Sequence, residues 1–188
     1  MNGRRHPDIF TRDDSAILLV DYQEKFLPVL YNNEETVKNI KLLLSGINIY
    51  KIPVFVSEQV PEKLGPTTNE LKEYLKGAVF FSKRTMSCCE HKYFIDELHE
   101  KKIKTLALCG IEAHVCISQT ALDLIHNGFK VHIAADAVTS RILSNKDIAI
   151  EKMRAAGVVI SSVETILFEI AYEANSDEFK KLQQLLKG

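Results

Sequence analysis

The chain has 188 residues, 46% of them hydrophobic and 26% charged, with a formal net charge of −1. That is the profile of one globular domain, 1–188, long enough to bury a full core. The balanced charge gives no basic face for nucleic acid, and no apolar run reaches the length of a membrane span.

The opening MNGRRHPDIF carries two arginines with no apolar stretch behind them, unlike a secretory leader. The first buried run is Ala16–Val20, which reads as a strand covered on both faces. From Asn33, apolar residues recur at Val37, Ile40, Leu43, Leu44 and Ile47, which is helical spacing. Pro53–Ser57 is a second strand. EQVPEKLGPTT is a loop punctuated by prolines and glycine, and NELKEYLK is a short helix. Ala78–Ser82 is a third strand, and YFIDELHEKK a helix with its basic end last, as the macrodipole favours. KTLALC and Lys130–Ala135 supply strands four and five, with an amphipathic helix between them. KDIAIEKMRAAG is a helix stopped at Gly157, and Val158–Ile160 a short sixth strand. ETILFEIAYEA and SDEFKKLQQLLK close the chain as helices, the second capped by Ser176. Their apolar faces fit either the parent sheet or a second subunit.

This alternation predicts an open parallel sheet with helices on both faces. No repeat, linker or low-complexity tract interrupts it. There is no G-x-G-x-x-G and no phosphate-binding loop, so no dinucleotide or nucleotide cofactor is implied. The four cysteines are Cys88, Cys89, Cys109 and Cys116. Two are adjacent, which is a poor disulfide framework and fits a reducing, cytoplasmic compartment.

Cys116 is placed in the first turn of the helix that follows the fourth strand. A helix N-terminus stabilises a thiolate, and ligands of open α/β sheets bind beyond the carboxyl ends of the strands. By residue type alone, Cys116 reads equally well as a small buried hydrophobe. Two further strand-end residues favour chemistry. Asp21 follows the first strand and Lys83 the third. Singly they read as a turn residue and a solvated cation. Together with Cys116 they would meet in one crevice as base, cation and nucleophile.

The segments LLVDYQEKF, FSKRTMSCC and LCGIEAHVCISQTALDLIHNGFKVHIAADAVTSR resemble the isochorismatase-like cysteine hydrolases. The resemblance runs from about Asp14 to the C-terminus. It implies a Rossmann-like three-layer αβα sandwich with six parallel strands, and a catalytic triad of Cys116, Asp21 and Lys83. It also implies a cis peptide at Ile111–Glu112, with the backbone amides of Glu112 and Cys116 as oxyanion donors. The activity implied is hydrolysis of a small amide or related C–N bond through a covalent thioester. Gln23, Phe26, Gln59, Cys88 and His114 are the candidate pocket walls by their nearness to strand ends, although packing explains each as well.

Nicotinamidases of this superfamily carry a metal on an Asp-x-His motif and further histidines after the second strand. Here that place reads Ser57-Glu58-Gln59, and no histidine occurs between Pro7 and Glu90. No metal is therefore expected. Cys88, Cys89 and His91 lack the spacing of a structural zinc site. True isochorismatases cleave a vinyl ether and need no nucleophilic cysteine, so Cys116 argues against that activity. Two alternatives stand beside the hydrolase: a binding or scaffold protein with reduced catalysis, and a nucleic-acid-processing protein, since some relatives are labelled ribonucleases. The expected partners are a small-molecule substrate and further copies of the chain, with neither nucleic acid nor membrane.

Overall fold

The computed structural model describes residues 5–187; residues 1–4, where the reading of the N-terminus begins, lie outside the described residues. Six strands form one sheet: β1 (Ser15–Val20), β2 (Val54–Gln59), β3 (Val79–Lys83), β4 (Thr105–Gly110), β5 (Lys130–Val138) and β6 (Val159–Ser161). Their order is β3-β2-β1-β4-β5-β6, and every pairing is parallel. The helices are α1 (Asn33–Ile49), α2 (Pro61–Leu64), α3 (Lys92–Glu100), α4 (Ser118–His126), α5 (Leu143–Ala155), α6 (Val163–Ala171) and α7 (Asp177–Leu186).

Side-chain alternation in the central strands builds two cores. Ile17, Leu19, Ala107 and Cys109 face α1, α6 and α7, while Leu18, Val20, Leu106 and Leu108 face α3, α4 and α5. Both faces of β1 and β4 are thus buried, which is why these strands read as unbroken apolar runs. The result is the expected three-layer αβα sandwich. The C-terminal helices pack on their own chain: Leu182 of α7 is fully buried in the core shared with Leu43 and Leu167. Ser176 caps α7, its hydroxyl accepting the Phe179 N–H at 3.0 Å.

Some elements differ from the sequence reading. NELKEYLK forms a 3₁₀ stretch over Asn69–Leu75 instead of an α-helix, and the proline-rich loop contains the single turn α2. β3 runs one residue further than its apolar core, so that Lys83 is its last residue. No helix among the described residues is long and apolar enough to cross a membrane.

The order reverses between β1 and β4, and there the connections leave on opposite faces of the sheet. This opens a crevice beyond their carboxyl ends. Gly110 ends β4 at φ +110°, and a Cβ there would overlap the Val20 backbone of the adjacent strand. Only glycine lets the two strand ends approach this closely.

His132 of β5 has no solvent exposure, neither ring nitrogen has a partner among the described residues, and its ring meets the edge of Phe10 at 5.2 Å. Burial first, then the Lys130 charge, lower its pKa to about 4, with Asp8 opposing. The folded state therefore holds it neutral while the unfolded chain takes up a proton below its ordinary pKa. Stability should be fully present above pH ~6.5 and fall by up to about 3 kcal/mol towards pH ~4 from this residue alone. Denaturant unfolding at neutral and acid pH checks this: His132→Phe should show a distinctly shallower acid loss than the parent protein.

Candidate active site

Asp21 is the first residue after β1 and takes φ +49°, a left-handed turn that a short acidic side chain tolerates. Its amide donates to the Ser57 carbonyl at 3.1 Å. The residue is buried, and its carboxylate accepts two short bonds: Ser57 Oγ to Oδ1 at 2.7 Å and Lys83 Nζ to Oδ2 at 2.7 Å.

Lys83 reaches this carboxylate by crossing the end of β2, where Gln59 is its register partner. Its ammonium also donates to Gln59 Oε1 at 2.7 Å, and the Met86 and Thr85 carbonyls stand at 3.0 and 3.2 Å. Four acceptors thus surround three N–H donors. Burial by itself lowers the Lys83 pKa. The charge of Asp21, the neighbouring thiols and the hydrogen bond to Asp21 together outweigh that and leave it raised. Lys83 is a fixed cation, not a proton carrier.

Cys116 lies in a π-helical turn, Ala113–Ile117, that runs directly into α4. The peptide Ile111–Glu112 before it is cis. The thiol is 7% exposed, and its sulfur lies 3.9 Å from Met86 Sδ. Burial pushes its pKa up. Asp21 adds to this as a negative charge and as a hydrogen-bond acceptor, and Lys83 offsets only part. The Lys83 ammonium is already committed to Asp21, Gln59 and two carbonyls, which limits how far it can stabilise a Cys116 thiolate.

Asp21 and Cys116 line one cavity of about 400 Å³. Of the residues expected in its wall, Phe26 and Gln59 are there, and Gln23, Cys88 and His114 are not. Gln23 turns inward, where its amide bonds the backbone of Gln59 and Gly65. Cys88 is fully buried, with its amide on Thr120 Oγ1 at 3.0 Å. His114 Nδ1 faces Ser140 Oγ at 3.0 Å. The amides of Ala113, Val115 and Ile117 are already bonded to backbone carbonyls, so they are not available as oxyanion donors.

Several residues went unread. Ser57 holds Asp21, and Glu112 is tied to Arg141 through the latter's amide at 2.9 Å and its Nε at 3.1 Å. The strand-end rule that found Asp21 could have found Ser57. Val60, Leu64 and Met86 also wall the cavity, and nothing in their spacing marks them. The side chains that replace the expected metal motif are all engaged: Ser57 with Asp21, Glu58 with Thr67, and Gln59 with Lys83.

The family model described as isochorismatase domain matches residues 15–165. A zebrafish (Danio rerio) isochorismatase domain-containing protein 2 is 36% identical over 92% of this chain and 86% of its own length. Among solved structures, a Caenorhabditis elegans protein described as MAR1 ribonuclease is 33% identical and superposes with a TM-score of 0.89, covering 95% of this chain and 92% of that one. An octameric Escherichia coli hydrolase of unknown specificity, the YcaC gene product, is 19% identical with a TM-score of 0.87 over 97% of both chains, a likeness of fold alone.

Proposed function

The chain belongs to the isochorismatase family, and on that premise we propose that it is a metal-independent cysteine hydrolase acting on a small amide or related C–N bond. The observation that carries this reading is that Cys116 and Asp21 line one cavity, with Lys83 buried behind it on the Asp21 carboxylate at 2.7 Å. The residues take the following roles. As the substrate carbonyl arrives, the thiol gives its proton to Asp21 while sulfur bonds to carbon. Because burial disfavours a free thiolate, proton loss accompanies attack instead of preceding it. The amides of Glu112 and Cys116 hold the developing oxyanion, each worth roughly 3–4 kcal/mol in comparable sites. Asp21 passes its proton to the leaving amine as the C–N bond breaks, and the amine departs. Asp21 then activates a water that splits the thioester and restores the thiol. Lys83 stays protonated throughout and balances the carboxylate.

A panel of small primary and N-substituted amides, read by amine release, tests the reading. Turnover of at least one member should be unchanged after exhaustive chelation. Loss on chelation with recovery on adding zinc would contradict the metal-independent mechanism.

The same reading takes 1–188 as one isochorismatase-like domain, working in the cytoplasm as a homo-oligomer. Four unpaired cysteines support the compartment. The exposed Val29, Tyr31, Ile142, Leu143 and Ile148 supply apolar surface for self-association. A ribonuclease is the second reading, favoured by the description of the C. elegans relative. A net charge of −1 and a mostly apolar cavity rank it below amide hydrolysis.

A further inference from the structure

The cavity also bears on which amides enter it, an inference that rests on the hydrolase reading above. Its walls are Phe26, Val60, Leu64, Met86, Ile111 and Val115. What matters is how few polar groups remain free among the others. Both carboxylate oxygens of Asp21 are bonded, to Ser57 and Lys83. Gln59 spends its oxygen on Lys83 and its amide nitrogen on the Arg84 carbonyl at 2.9 Å. The Glu112 carboxylate accepts both the amide and the Nε of Arg141. Lys63 and Arg141 also border the cavity; both residues are exposed, and the Arg141 guanidinium is paired with Glu112. Beyond the reacting thiol, Asp21 and the oxyanion donors, the described walls are mostly apolar, and the Gln59 and Glu112 side chains are already hydrogen-bonded within the protein.

We propose that the substrate is a small amide with an apolar acyl group, of the size of a phenyl or branched aliphatic unit, and that heteroatoms in that group are selected against. A ring nitrogen or ether oxygen buried against these walls gives up water and finds no partner. A pocket of this kind discriminates by desolvation, so the penalty falls on binding as well as on turnover.

Isosteric pairs test this directly. Benzamide and nicotinamide differ by one ring nitrogen; cyclohexanecarboxamide and the corresponding oxane carboxamide differ by one ring oxygen. Calorimetric titration of the Cys116→Ala protein measures binding without turnover, and kcat/KM of the parent protein is read alongside. The apolar member of each pair should bind about ten-fold tighter. Equal binding, preference for the heteroatom, or no binding of either member of both pairs would overturn the assignment. Ten-fold selective binding in a parent protein that hydrolyses none of them would keep the substrate class and remove the hydrolase reading.

Discussion

Cys116→Ala should lower amide turnover by at least about 10³-fold while the protein stays folded. The change removes only the nucleophile's sulfur. Cys116 belongs to the core layer with Ile117 and Ala121 but also borders the cavity, and the change removes a single heavy atom, so the stability cost should stay near 1–2 kcal/mol. Circular dichroism and a thermal melt should therefore look close to those of the parent. The two readouts separate catalysis from folding. Alkylation rate cannot substitute for this test. Burial and the Asp21 charge raise the Cys116 pKa, so slow reaction with iodoacetamide near neutral pH is expected whether or not the protein is an active enzyme. Retained turnover in the alanine protein would remove the covalent mechanism.

Lys83→Met should be costly to folding as well as to activity. The Lys83 and Asp21 side chains are 1% and 2% exposed, and their ion pair is 2.7 Å. Removing the ammonium leaves a buried carboxylate with Ser57 as its remaining side-chain donor among the described residues. Breaking one side of such a pair typically costs 3–5 kcal/mol, which for a chain of this length lowers the melting temperature by roughly 10 °C or more. The double replacement Asp21→Asn with Lys83→Met removes both charges and should recover a large part of that loss without recovering turnover. Chemical denaturation of the four proteins of this cycle measures the coupling. If Lys83→Met alone matched the parent in stability, the buried pair would not be the structural anchor described here.

The three candidate side chains were legible because Asp21 and Lys83 stand at strand ends and Cys116 in the helical turn after β4, and an open parallel sheet carries strand ends to one rim. The apolar runs around Ile17 and Ala107 gave the two-faced burial for the same local reason. The strand order was different. No spacing within the chain says that β1 lies beside β4, and the sequence reading yielded six parallel strands without an order. The pocket walls were harder still. Gln23 is next to Asp21 in the chain but turns inward, because its amide is needed by the backbone of Gln59 and Gly65. Val60 and Leu64 reach the cavity only because their loop is tied back by Glu58 to Thr67 and by Thr68 to the Tyr22 carbonyl. Such ties join residues distant in sequence and leave no periodic trace. The direction of the Cys116 shift was illegible on similar grounds: burial and Asp21 raise its pKa, and a lysine already paired with a carboxylate offsets only part of that.

The central claim is that Cys116 carries the acyl group. Rapid acid quenching during steady turnover of an apolar amide, followed by peptide mass mapping, reads this directly. The account predicts that the peptide containing Cys116 gains the mass of the acyl group, and that Cys88, Cys89 and Cys109 stay unmodified. Turnover proceeding with Cys116 free at every quench time, or with the acyl group on another residue, would contradict it.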